Sequence, residues 1–166
     1  EALNRAQMLC DAATKAGADA ADALYYCNAA TSVSMRLGAL EDVERSEGQD
    51  ISLRAFVGQR SASVSTADMD PGELAKLVER CVAMAREAPE DPYVGLAPED
   101  RLFRGPAPDF DLDDGSEADP QALREAALAV EEAARAVSGV TNSEGGSASH
   151  SRTRFALATS HGFAGG

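Results

Sequence analysis

The residues of this chain best suited to chemistry are two histidines, three cysteines and several clusters of serines and carboxylates, and spacing decides what each can do. His150 and His161 stand apart in the sequence without a nearby group of cysteines or carboxylates, whereas zinc is normally held by three or four ligands drawn from tight local pairs. Ser147, Ser149 and Ser151 flank His150, but neighbours on a strand point to opposite faces, and no GxSxG elbow exposes a nucleophile. Cys10, Cys27 and Cys81 are odd in number and each lies in an apolar-patterned segment, so they read as buried free thiols of a reducing compartment. The carboxylate-rich run at residues 109–117 lacks the ordered oxygen ligands and terminal Glu of a calcium loop. It reads as a solvated connection pinned at Phe110 and Leu112. No catalytic, cofactor-binding or metal-ligating set is therefore assigned in this chain.

Two polar stretches remain: Asn142, Ser143, Glu144, Gly145 and Gly146, which could admit another backbone or a bound peptide, and His161 with Gly162, which could present a polar edge to a neighbouring domain. The paired glycines at 145 and 146 would let another backbone come close. A turn that serves only the fold is the plainer reading of residues 141–146, and the same holds for residues 160–163.

The elements that must position these residues are legible from periodicity. Val33, Met35 and Leu37 alternate with polar neighbours, as do Ile51, Leu53, Ala55 and Val57, which is the pattern of a half-buried antiparallel sheet. Gly38, the run at 47–50 and the pair Gly58 Gln59 fall where reversals are expected. Residues 31–68 thus read as a meander of about four strands, with 40–45 less regular and bulged. Residues 23–28 read as an earlier, separate strand. Helices are expected over 2–16, 71–88 and 120–138. Asp70 Pro71 Gly72 Glu73 offers a cap, a first-turn proline and a capping box, and Asp119 Pro120 repeats the first two of these. The faces are expected at Leu74, Leu77, Val78, Cys81, Met84 and Ala85 in the second helix, and at Leu123, Ala127, Val130, Ala134 and Val137 in the third. Strands are expected again at 140–142 and 152–159. The fold class is α+β: an antiparallel meander of about four to six strands packed with three helices.

With 44% hydrophobic but only 5% aromatic residues and no Trp, the core must be built mainly of Ala, Leu and Val. A formal charge of −13 argues against direct nucleic-acid binding, which rests on cationic contacts to phosphate. No run approaches the roughly 20 apolar residues of a membrane span. The chain opens on Glu1 inside a helical pattern and stops at Gly166 after an apparent strand, so residues 1–166 are expected to be a single amino-terminal domain of a longer chain whose carboxy-terminal domain is absent.

The order of these elements resembles a known family. Together with Leu40 to Glu44, the strand pair around Ser61 to Ser63 and Ser65 to Asp68, the Asp91 Pro92 exit, and the polar stretches at 141–146 and 160–162, it is similar to the amino-terminal domain of the TldD/PmbA family. These proteins are also called modulators of DNA gyrase, and the likeness is nearer to the PmbA (TldE) branch. The resemblance implies a cytoplasmic heterodimer of a TldD-type and a PmbA-type subunit that acts as a zinc metallopeptidase on unfolded or modified peptides. It places the zinc and its HExxxH motif in the TldD-type partner and leaves this chain a supporting role. It also implies that the domain helps to wall the peptide chamber, with Glu41, Asp42 and Glu44 of the meander or the turn at 142–146 facing the peptide. A homodimer of the parent chain is also open. The alternative is an acidic interaction protein that modulates a basic, DNA-handling partner such as gyrase.

Overall fold

The computed structural model describes residues 1–105 and 108–166; Pro106 and Ala107, in the proline-rich connection, lie outside the described residues. The elements run α1 (Ala2–Lys15), β1 (Ala20–Arg36), β2 (Ala39–Val57), β3 (Arg60–Thr66), α2 (Pro71–Glu87), a short 3-10 turn (Glu99–Arg101), α3 (Pro120–Arg135), β4 (Gly146–Thr159) and β5 (Ala164–Gly165). The strands form one five-stranded sheet in the order β3-β2-β1-β4-β5, an α+β fold as expected.

The five strands lie within the four to six expected, but those of residues 20–66 are longer and fewer than the residue pattern suggests. The separate strand expected at 23–28 and that at 33–37 are one strand, β1, because Ala29 and Ala30 carry no signal that turns the chain. The reversal expected at 47–50 is absent as well, and β2 runs straight through it. Gly48 does not adopt the left-handed backbone that such a turn needs, whereas Gly38 and Gly58 do. The polarity at 47–50 records solvent on β2, since residues 39–49 are all exposed. Residues 140–142 form no strand, and β4 instead begins at Gly146.

The chain separates into two compact units: Glu1–Cys27 with Gln49–Pro108 and Arg154–Gly166, and Asn28–Gly48 with Asp109–Thr153. In the first, Leu9, Cys10, Ile51, Leu53, Leu77, Val78, Cys81 and Val82 pack with eight buried alanines. Small side chains let α1 and α2 lie close on the strands. The Cys10 thiol donates to the Ala158 carbonyl at 3.4 Å, and burial pushes its pKa up to about 12. Burial likewise raises Cys81, which lies 3.4 Å from the carbonyls of Leu53 and Ala62. Cys27 is only half-buried, contrary to expectation. On α2 the buried position is Val82, while Met84 faces solvent, because the helix turns its face toward β3. Asp70 caps α2 by accepting from Gly72 and Glu73. The capping box is not completed: Asp68 accepts the Asp70 N–H, and Glu73 pairs with Lys76 at 2.7 Å.

The second unit has a smaller core of Val33, Met35 and Ala127, flanked by Leu123, Leu128 and Ala148. On α3 the expected face is rotated: Val130 is 58% exposed and Ala134 and Val137 also face solvent, whereas Glu131 is 1% exposed. Gly146 is the contact that allows α3 to sit here. A Cβ on Gly146 would stand 2.3 Å from the Ala127 carbonyl oxygen, which is backbone and cannot swing aside. Gly146→Ala is expected to destabilise the protein by about 1–3 kcal/mol through overpacking, read as a lowered midpoint of urea unfolding.

Candidate functional site

The sequence-predicted contacts fall in both units. Within the second, one buried carboxylate organises most of them. The β1–β2 hairpin turns on Leu37 and Gly38, both with positive φ, at +50° and +79°. Two successive left-handed residues give the tight reversal that matches strand twist, but a Leu in the first position is strained. Glu131 answers this from α3. Its Oε1 accepts the Leu37 N–H at 2.7 Å and its Oε2 the Gly38 N–H at 2.9 Å. Those bonds hold the Glu131 carboxyl below the usual carboxylate range, with the Gly38 N–H the largest cause and burial opposing it. The Ser143 hydroxyl adds to the lowering.

Residues 142–146 are drawn into the same assembly. The Ser143 Oγ also accepts the Gly145 N–H at 2.9 Å. Gly145 has φ +108°, and a Cβ there would stand 2.6 Å from the Met35 carbonyl oxygen. Ser143, Gly145 and Gly146 therefore serve the packing of this unit, while Asn142 and Glu144 are exposed. Glu41, Asp42 and Glu44 lie on the exposed length of β2, with Glu41 3.6 Å from Arg36. Glu131 was missed at the sequence level, although a signal existed: it stands one helical turn after Ala127 and two after Leu123, where a carboxylate interrupts an apolar stripe.

His150 and the acidic run also meet in this unit. The His150 Nε2 lies 3.0 Å from the Ser116 Oγ, and Arg152 pairs with Asp113. The connection is thus held to β4 by polar groups. Phe110 and Leu112, expected to pin it, are 69% and 85% exposed.

His161 and Gly162 belong to the first unit. The His161 Nδ1 is 3.2 Å from the Ala97 carbonyl oxygen, and the Gly162 N–H donates to Thr159 at 3.1 Å. Their turn is bolted to β1 by Ser160, whose Oγ accepts the Ala21 N–H at 2.9 Å. A cleft of about 330 Å³ in the same unit is lined by Arg5, Tyr25, Cys27, Gln49 and Arg154, among others. The Tyr25 hydroxyl donates to Gln49 at 3.0 Å, and Arg5 is engaged by Glu1 at 2.8 Å. Among the described residues no group of three or more His, Cys, Asp or Glu could hold a metal ion. No helix among them is long and apolar enough to cross a membrane.

The Glu131 bonds carry a pH dependence. Because the folded pKa lies below the ordinary value of about 4.3, the contribution is complete above that value and is lost as pH falls through the folded pKa. Glu131→Gln is expected to lower the urea midpoint at pH 7 and to speed hydrogen exchange at Leu37 and Gly38. The gap to the unsubstituted protein should close toward pH 3.

Residues 21–85 match the family model PmbA/TldA metallopeptidase domain 1. The chain is 33% identical over 130 residues to the metalloprotease PmbA of Escherichia coli and 35% identical over 136 residues to a PmbA homolog of Haemophilus influenzae. These alignments cover 78% and 81% of the chain but only 29% and 30% of the relatives. A crystal structure of a proposed modulator of DNA gyrase from Bacteroides thetaiotaomicron superposes with a TM-score of 0.80 at 27% identity, over 98% of this chain and 37% of that one. The fold is also that of TldE from Thermococcus kodakarensis, with a TM-score of 0.74 at 20% identity, over 97% of this chain and 36% of that one.

Proposed function

This chain belongs to the PmbA/TldD family, and from that we propose that it is a non-catalytic, amino-terminal domain of a PmbA-type subunit in a zinc metallopeptidase complex. The catalytic zinc and its HExxxH motif belong to a TldD-type partner, the substrates are unfolded or modified peptides, and the complex works in the cytoplasm. The observation that supports the PmbA branch of this reading is the similarity to two PmbA proteins over about four-fifths of the chain (78% and 81%).

The decisive experiment measures cleavage of an unfolded peptide by the full-length protein alone, by a TldD-type partner alone and by the two mixed, with and without a zinc chelator. Chelator-sensitive cleavage only in the mixture is the expected result. Cleavage by the full-length protein alone would assign it to the catalytic branch. Inactivity of all three would favour the alternative, an acidic protein acting on a basic, DNA-handling partner.

Within the complex, this domain forms part of the wall of the peptide chamber. Exposed Glu41, Asp42, Glu44, Asn142 and Glu144 supply side chains for that wall. Reversing the charge of Glu41, Asp42 and Glu44 together with substitution of Glu144 should change peptide turnover roughly twofold to fivefold, with assembly intact by gel filtration. Unchanged turnover in an assembled complex would remove the domain from the wall.

A further inference from the structure

Three neighbouring strands of the first unit change character at the same level of the sheet. On β1 the core-facing positions Ala21 and Ala23 continue as Tyr25 and Cys27; on β2 Ile51 is preceded by Gln49; on β4 Ala156 and Ala158 are preceded by Arg154. β2, β1 and β4 are adjacent, so these larger and more polar side chains share one face just beyond the alanine-rich core. The start of α1 lies over them and leaves a cleft of about 330 Å³, to which Glu1, Ala2 and Arg5 contribute.

The lining specifies a charge and a size. In a chain of formal charge −13, two guanidinium groups, those of Arg5 and Arg154, meet here. Arg154 has no ion pair among the described residues. Arg5 holds Glu1 at 2.8 Å, but that carboxylate is 84% exposed, and a pair so open to solvent is weak. Two cations against one anion leave a single positive charge, which a monoanion balances and a phosphate dianion overshoots. The fork of a guanidinium suits a carboxylate. The Tyr25 hydroxyl is bound to Gln49 at 3.0 Å, which fixes both side chains as a wall before any ligand arrives, and Phe155 adds a second ring. A cavity of about 150 Å³ accepts benzene, so this cleft has room for a phenyl ring and a short acid but for little beyond them.

We propose that this cleft is a binding site for a small organic monocarboxylate with an aromatic or branched apolar body. The carboxylate pairs with Arg154 and displaces Glu1 from Arg5, while the apolar body packs against Tyr25, Phe155 and Cys27. The site stands apart from the wall of the peptide chamber and from the supporting role in peptidase activity, so either assignment can fail without the other.

The test is calorimetric titration of the full-length protein with phenylpropionate. The neutral amide, phenylpropionamide, should bind at least about tenfold more weakly. Arg154→Gln should weaken binding of the acid roughly threefold to tenfold, and Glu1→Gln should tighten it about twofold by freeing Arg5; both effects shrink at high salt. The Glu1 side chain makes no capping bond to α1, so its replacement leaves the helix start intact. Cys27 reports occupancy, because Cys10 and Cys81 are buried. Saturating acid should slow its alkylation by iodoacetamide at least about threefold, read by mass spectrometry of the fragment that carries it. No binding of phenylpropionate, equal binding of the amide, indifference to Arg154→Gln or unprotected Cys27 would each overturn the proposal. Tighter binding of glycyl-glycyl-phenylalanine than of phenylpropionate would also overturn it, by assigning the cleft to the ends of polypeptides.

Discussion

The bond from Glu131 to the two hairpin amides is the constraint on which the smaller unit rests. A hairpin with Leu at a left-handed position is a costly way to reverse a chain, and two N–H groups at its tip would otherwise rely on water. One carboxylate answers both, and to do so it must be carried by a helix lying directly over the sheet. That geometry requires a glycine at 146, where α3 presses on β4, and another at 145, where the backbone meets Met35. The carboxylate, the two glycines and the Ser143 hydroxyl therefore form one device: removing any member alters the conditions under which the others fit. The apolar core of the unit, with Val33, Met35 and Ala127 buried, is small enough that directional bonds must share in specifying its arrangement.

The larger unit is specified by other means. Its core is apolar and rich in alanine, and the two buried thiols behave as small hydrophobes whose protons find backbone carbonyls. Polar groups do their positioning at its margins. Asp19 accepts the Gly58 N–H at 2.7 Å at one turn, and Asp22 holds Arg54, whose guanidinium lies over Phe56 with 5.1 Å to the ring centroid. Arg60 donates to the Arg86 carbonyl at 2.7 Å and so ties the end of α2 to β3. The contrast is between a core that needs only close packing and one that needs a charge.

What could be read from the residues follows from how local each signal is. The second and third helices were legible because Asp70 Pro71 and Asp119 Pro120 are complete start signals within a few residues, and the turns at Gly38 and Gly58 because positive φ favours glycine. The false reversal at 47–50 arose because Gly48 with polar neighbours reads the same in a turn as in a strand wet on both sides. The length of β1 was hidden by Ala29 and Ala30, since alanine favours helix and is depleted in strands. Glu131 was illegible because its partners, Leu37 and Gly38, are remote in the chain, and a buried carboxylate declares itself only when those amides are in place. The cluster at 142–146 was recognised as distinctive, but its inward half could be separated from its outward half only once Met35 and Ala127 were seen against the glycines.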